Sequence, residues 1–168
     1  VWGQCDPNNP KNKRRRVSIL VEDDKGTCLL VDTSPDLREQ LLDAQVDHLD
    51  GVFYTHDHAD HSHGIDDLRG VYHCMGTKIP VFGDERTLAT LKKRFGYVFE
   101  GKGAYAPIAD SHILQSGQQV VIGDVSVTPF TQIHGGITSF GYRFNSMAYS
   151  TDLNQIPEGS EAFLQGLD

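Results

Sequence analysis

The stretch His56-Asp57-His58-Ala59-Asp60-His61 constrains this chain more than any other. Six residues carry three imidazoles and two carboxylates, directly after the apolar run Val52-Phe53-Tyr54. A short buried strand that ends in such a loop presents several metal-ligating groups at one sheet edge. Imidazole and carboxylate together suit zinc and related divalent ions. His56 and His58 alternate along an extended segment, so both side chains can grip one ion. Asp60 and His61 lie where the chain turns into a helix and are free to face a second ion. A stable site takes about four ligands, so each ion needs partners from elsewhere. His134 closes the alternating run from Val125 to Phe130, with Gly135-Gly136 behind it, and Asp152 closes the run from Met147 to Thr151. Both are strand ends carrying ligand types.

The 168 residues favour a single domain with a real core. A net charge of −8 argues against general nucleic-acid binding, which needs a basic face. Nothing approaches the roughly 18 apolar residues of a membrane span. Three cysteines, Cys5, Cys28 and Cys74, form no close pair and fit a reducing cytoplasm. Cys28 and Cys74 read as small buried hydrophobes.

Strands and helices alternate through the first two thirds. Val17–Val21 and Cys28–Val31 flank a turn at Asp23–Gly26, a hairpin pattern. Ser34 is expected to cap a helix with Pro35 at its first position and Leu37, Leu41 and Leu42 as its buried stripe. The strand Gly51–Thr55 delivers the histidine loop, and a helix with Ile65, Leu68, Tyr72 and Met75 on one face follows. Ile79–Phe82 is a further strand, and Asp84 can cap a helix carrying Leu88, Leu91 and Phe95. From Val120 the pattern is strands only, until Pro157–Leu167 reads as a last helix. Strands inside and helices outside imply a layered α/β protein.

His-x-His-x-Asp-His after a buried strand, a later lone histidine and an aspartate at a strand end resemble the metallo-β-lactamase superfamily. Trp2-Gly3, Thr55 to Arg69, Ile79–Gly83, His134 with Phe140-Gly141-Tyr142, and Ser150-Thr151-Asp152 resemble its phosphoribosyl 1,2-cyclic phosphodiesterase branch. The likeness runs from Trp2 to Leu164. It implies a four-layer αββα sandwich with a dinuclear site of zinc or manganese at one sheet edge. By that likeness His56, His58 and His134 hold the first metal, Asp60 and His61 hold the second, and Asp152 bridges the two. The bridge would set the ions about 3.5–4 Å apart, so that a water between them becomes the nucleophile. Asp60 would also help to hold or deprotonate that water. The superfamily further implies a sixth histidine ligand and a proton-donating histidine, yet no histidine follows Asp152. The expectation is therefore a domain of roughly 250 residues, incomplete at both ends, with a weakened second site. The branch's structural zinc finds no support, since Cys5 has no second cysteine nearby.

Arg69 is a candidate to grip a substrate phosphate through its fork, with an ion pair to Asp66 as the competing role. Asp32, at a strand end, is expected to orient a ligand histidine. The basic run Lys11 to Arg16 reads as a solvated loop, His63 and His73 as residues outside the site, and His112 carries no role. Tyr97 and Phe99 read as core or pocket wall. Two classes of function stay open. One is a dinuclear hydrolase of small phosphodiesters, with a transfer-RNA-processing-type nuclease or a lactone or thioester hydrolase as alternatives. The other is a non-catalytic nucleotide-binding or metal-sensing protein. The partners expected are a small phosphorylated substrate or nucleotide and, as an open alternative, a second copy of the chain in a homodimer. A membrane is not expected.

Overall fold

The computed structural model describes residues 2–168. A hairpin of β1 (Ile19–Glu22) and β2 (Cys28–Val31) opens the sheet region. Its turn is closed by the Asp23 carboxylate, which accepts from the amides of Lys25 and Thr27 at 2.9 and 2.8 Å. The chain continues through α1 (Leu37–Ala44), β3 (Gly51–Phe53), the single turn α2 (Ala59–Ser62) and a 3₁₀ turn at Ile65–Asp67. Then come α3 (Leu68–Met75), β4 (Ile79–Gly83), α4 (Glu85–Glu100) and β5 (Ala109–Ile113). These strands form one sheet in the order β1-β2-β3-β4-β5, with β2 to β5 parallel. The remaining strands are β6 (Val120–Ile122), β7 (Val125–His134), β8 (Ile137–Phe144) and β9 (Met147–Tyr149). They make a second sheet, an antiparallel meander in sequence order.

Two apolar cores follow from the period-2 alternation of the first sheet. Leu30, Val52, Tyr54 and Val81 face the helices, where Leu37, Leu41, Ile65, Leu68, Leu88 and Leu91 cover them. Leu29, Val31 and Phe53 face the other way and meet Val125, Val127, Phe140, Tyr142 and Phe144 of the second sheet. Phe53 stacks on Phe82 at 4.7 Å and meets Tyr142 edge-on at 5.3 Å. Because β2 and β3 are covered on both faces, they read as unbroken apolar runs. Helices, sheet and sheet thus lie in layers. The outer face of the second sheet carries a 3₁₀ turn, Glu161–Leu164, whose Phe163 stacks on Phe130.

Several local expectations differ from this fold. Ser34 does not cap α1, which begins at Leu37. Its carbonyl accepts from Leu37 N at 2.9 Å and its hydroxyl from Asp36 N at 3.1 Å, so Ser34–Leu37 is a separate turn. Leu42 lies outside the buried stripe at 57 % exposure, because a helix of two turns presents only Leu37 and Leu41 to the core. Pro157–Leu167 forms only the short 3₁₀ turn. Gly159 and Gly166, at φ +90° and +64°, break the helical path on either side of it. Strand β5 was absent from the expectations, since Asp110, Ser111 and His112 give an edge strand without an apolar signature. Cys28 is buried as expected, but Cys74 is exposed near the end of α3. Asp84 does cap α4, accepting from Thr87 N at 2.6 Å. Among the described residues no helix is long and apolar enough to cross a membrane.

Candidate metal centre

Five segments end at one edge of the two sheets. Asp32 follows β2, Thr55 to His58 follow β3, Asp60 and His61 sit on α2, His134 is the last residue of β7, and Asp152 lies just after β9. The sheets are tied together there. Phe140 N donates to Thr55 O at 2.8 Å, and the Tyr142 hydroxyl donates to Tyr54 O at 2.7 Å. This backbone junction brings residues nearly a hundred positions apart into one cluster.

The cluster holds two overlapping sets. His56, His58, His134 and Asp152 form one, and Asp60, His61 and Asp152 form the other, with all ligand atoms of a set within 4.8 Å of one another. All six residues that the sequence singled out as ligands therefore meet, and Asp152 is common to both sets. Its Oδ2 lies 3.4 Å from His61 Nε2 and 3.7 Å from His134 Nε2, while Asp60 Oδ2 lies 3.8 Å from His61 Nε2. The imidazole centroids of His56 stand 4.5, 4.3 and 5.1 Å from those of His58, His61 and His134. Such separations are long for direct hydrogen bonds. They match ligands that share an ion, because two groups each about 2.1 Å from one tetrahedral centre stand about 3.4 Å apart.

The buried side of the cluster sets the proton positions. Asp32 is fully buried and accepts from Thr55 N at 2.8 Å and from Thr55 Oγ1 at 2.7 Å. Its Oδ2 also accepts from His61 Nδ1 at 2.7 Å. Because the single Thr55 hydroxyl proton goes to Asp32, the 3.0 Å contact between Thr55 Oγ1 and His56 Nδ1 has His56 as donor. Both histidines therefore carry hydrogen on Nδ1 and present a bare Nε2 lone pair. Those two Nε2 atoms are buried without a hydrogen-bond partner. Leaving such groups unpaired is costly, and a divalent cation satisfies them, so the residues present fit a metal.

The electrostatics agree with this at His56, whereas His61 gains affinity for a second proton, which a metal ion would displace from Nε2. Burial, then the neighbouring imidazoles of His61, His58 and His134, pushes His56 down to about 4 and keeps it neutral. Burial raises Asp32, against the pull of its hydrogen bonds from His61 and Thr55. Burial also works against the His61 cation, but the bond to and charge of Asp32, with Asp152 and Asp60, outweigh it and raise the group.

Asp32 thus takes the orienting role expected of it, at the uncommon backbone φ of +60°. Sequence reasoning missed Thr55, which links the two buried histidines, and it missed Asp57. That carboxylate is buried on the far side of the loop, 3.0 Å from Arg86 Nη2 and 3.3 Å from Arg94 Nη2 of α4. Its position between two outward-alternating histidines was the available signal, since Asp57 must then point away from the ions. Arg69 makes the competing contact expected of it, toward Asp66. It lies 3.8 Å from Asp66 and 5.3 Å from the centre of the Tyr105 ring, in a groove shared with Arg38 and Leu42. His63 packs on Phe95, His73 on Tyr72, and His112 stacks on Phe82.

A family model described as the beta-lactamase superfamily domain matches residues 27–168. The chain belongs to that superfamily, and its two-sheet fold is the metallo-β-lactamase fold. It is 34 % identical over 154 residues to a Porphyromonas gingivalis protein named Octanoyltransferase, covering 90 % of this chain and 31 % of that protein. Among solved structures it is similar to a diphosphatase from the PhnP family, with a TM-score of 0.85 and 35 % identity over 98 % of this chain and 64 % of that one. Zinc-bound PqqB from Methylobacterium extorquens shares the fold at a TM-score of 0.69 and 19 % identity, over 95 % of this chain and 61 % of that one. The chain spans between 31 % and 64 % of the length of these relatives.

Proposed function

We propose that this chain carries the metal centre of a hydrolase that cleaves P–O bonds of small phosphodiesters. Two divalent ions, zinc or manganese, would be held by His56, His58, His134 and Asp152 and by Asp60, His61 and Asp152. The observation that carries this reading is the single Asp152 carboxylate shared by two ligand sets. Such a pair of ions would supply Lewis acidity for an in-line displacement at phosphorus.

The residues divide that work. His56 and His61, fully buried, close the inner side of the site to water. His58, Asp60 and Asp152 are exposed and define the side from which substrate enters. Asp60 offers a carboxylate oxygen at that face, placed to hold a proton of the attacking water. A diester brings one negative charge toward the attacking water or hydroxide, whereas a monoester dianion repels that nucleophile more. The 35 % identical neighbour described as a diphosphatase supports attack at phosphorus. The acyl transfer named for the Porphyromonas gingivalis relative belongs to a protein of which this chain covers only 31 %, and the ligand sets contain neither thiol nor amine.

The test compares bis(p-nitrophenyl) phosphate, p-nitrophenyl phosphate and a chromogenic β-lactam, with metal content measured on the same samples. We expect the diester to be cleaved at least about tenfold faster than the monoester, with loss on chelation and recovery with zinc or manganese. Hydrolysis of the β-lactam or of an acyl-homoserine lactone, with no diesterase activity, would overturn this reading.

A further inference from the structure

The loop that carries Asp152 is sewn to the strand that carries His134 by one buried amide. Gln132, on β7 two residues before His134, is fully buried. Its Nε2 donates to Thr151 O at 2.9 Å and lies 3.5 Å from Ser139 Oγ. Its Oε1 accepts from the Ser150 hydroxyl. Ser139, also buried, points its hydroxyl at Asp152 O from 3.4 Å. The peptide on each side of Asp152 is thereby held from within. Further along, Asn154 N donates to Ile133 O at 2.7 Å and Ile133 N donates to Gln155 O at 2.8 Å.

This stitching matters because Asp152 adopts a left-handed backbone, φ +40°, which few residues other than glycine take up unaided. Something must hold it there. Room for the amide comes from Gly141 on the neighbouring strand, where a Cβ would stand 2.4 Å from Gln132 Oε1 and 2.3 Å from Phe130 Cζ. A missing side chain on β8 and hydrogen bonds at both ends of the Gln132 amide together make a built device rather than a chance contact.

We infer that Gln132 is a positioning residue that sets the Asp152 carboxylate between the two ligand sets. It thereby determines whether the second ion, held by Asp60, His61 and Asp152, binds. This inference rests on the metal reading proposed above. The first set keeps three imidazoles if Asp152 shifts, whereas the second loses one of three ligands. The consequence is selective for the second ion.

The test is a calorimetric titration of metal-free protein with zinc, alongside a thermal melt of the same metal-free protein. Wild type should take up two equivalents in separable steps. In Gln132→Met, which keeps the volume and removes the hydrogen bonds, the second step should weaken about 10–100-fold, the range for lost outer partners of a ligand. The first step should change by less than about threefold. Ser150→Ala, which frees the amide without touching the core volume, should weaken the second step in the same direction by a smaller factor. Equal weakening of both steps, or no weakening beyond a lowered melt, would assign Gln132 a purely structural role and overturn the inference. If Gln132→Met does not fold, unchanged steps in Ser150→Ala overturn it as well. A wild type that takes up no zinc or manganese would instead remove the metal reading itself, and this inference with it.

Discussion

On the inner wall of the site, His56 and His61 are fully buried and each has its Nδ1 bonded, to Thr55 and to Asp32. On the outer wall, His58 and Asp60 are exposed and are placed mainly by backbone. The His58 carbonyl accepts from His61 N at 3.1 Å and from the Ser62 hydroxyl at 2.8 Å, which fixes where the turn α2 begins. Each ligand set contains one anchor of the first kind and groups of the second kind. The inner wall selects tautomers and excludes water. On the proposed reading the exposed outer wall is where substrate would enter. The contrast teaches that both kinds of residue can hold metal, while only the buried anchors have their tautomers fixed by side-chain partners.

That division breaks most visibly if an inner anchor is lost. His56→Ala removes a ligand whose lone pair is prearranged and leaves only His58 and His134 as imidazoles of the first set. We expect metal content and diesterase turnover to fall together, turnover by more than about 10⁴-fold. Atomic absorption and a turnover assay on one sample check this. Full metal content with full turnover would show that the inner wall does not hold the first ion. Asp60→Asn probes the outer wall. It keeps shape and removes charge, so the chain should stay folded and retain about one equivalent of metal while turnover drops about 10²–10⁴-fold. Near-normal turnover in that variant would refute a two-ion mechanism.

The same contrast separates what the sequence made legible from what it did not. Ligand types crowd into one hexapeptide after an apolar run, so the outer wall and the motif histidines were visible at once. His134 and Asp152 were visible too, because His134 follows an alternating run and Asp152 was read at the end of the last strand, although that strand stops at Tyr149. Asp32 was legible as a strand-end acid. Thr55 was not, since a threonine ending a strand is ordinary until its hydroxyl is seen between Asp32 and His56. Gln132 was hidden for a similar reason, as an isolated amide on an alternating strand signals nothing about a partner 19 positions later. Helix ends were read less well than strand ends. The Ser34 turn is shaped by close approach to Gly64, where a Cβ would stand 1.9 Å from Ser34 O, and such a contact is tertiary. Edge strand β5 was lost because its polar residues need only one partner strand.

Smaller effects sharpen the picture of the inner wall. In Asp32→Asn one acceptor oxygen remains for three donors, so the amide either faces Thr55 N–H or leaves His61 Nδ1 without its carboxylate. The second ion should bind about 10–100-fold more weakly, read by titration of metal-free protein. Unchanged affinity would mean that packing alone orients His61.

Thr55→Val is the finest of these probes. It preserves the branched shape but deletes the hydroxyl that donates to Asp32 and accepts from His56 Nδ1. Asp32 retains His61 and the backbone amide of Thr55, so the second set keeps most of its orientation. His56 loses its only hydrogen-bond partner on Nδ1 among the described residues, and the tautomer bearing hydrogen on Nε2 is no longer disfavoured. That tautomer cannot ligate through Nε2, so part of the binding free energy goes into restoring the productive form. We expect the first ion to bind roughly tenfold more weakly, at the lower end of what a lost outer partner costs. The second should change less. Thr55→Ser, which restores the hydroxyl without the methyl group, should return the first affinity to near wild type. Equal affinities in Thr55→Val and wild type would mean that the proton on His56 is set by burial alone and that Thr55 only buttresses Asp32.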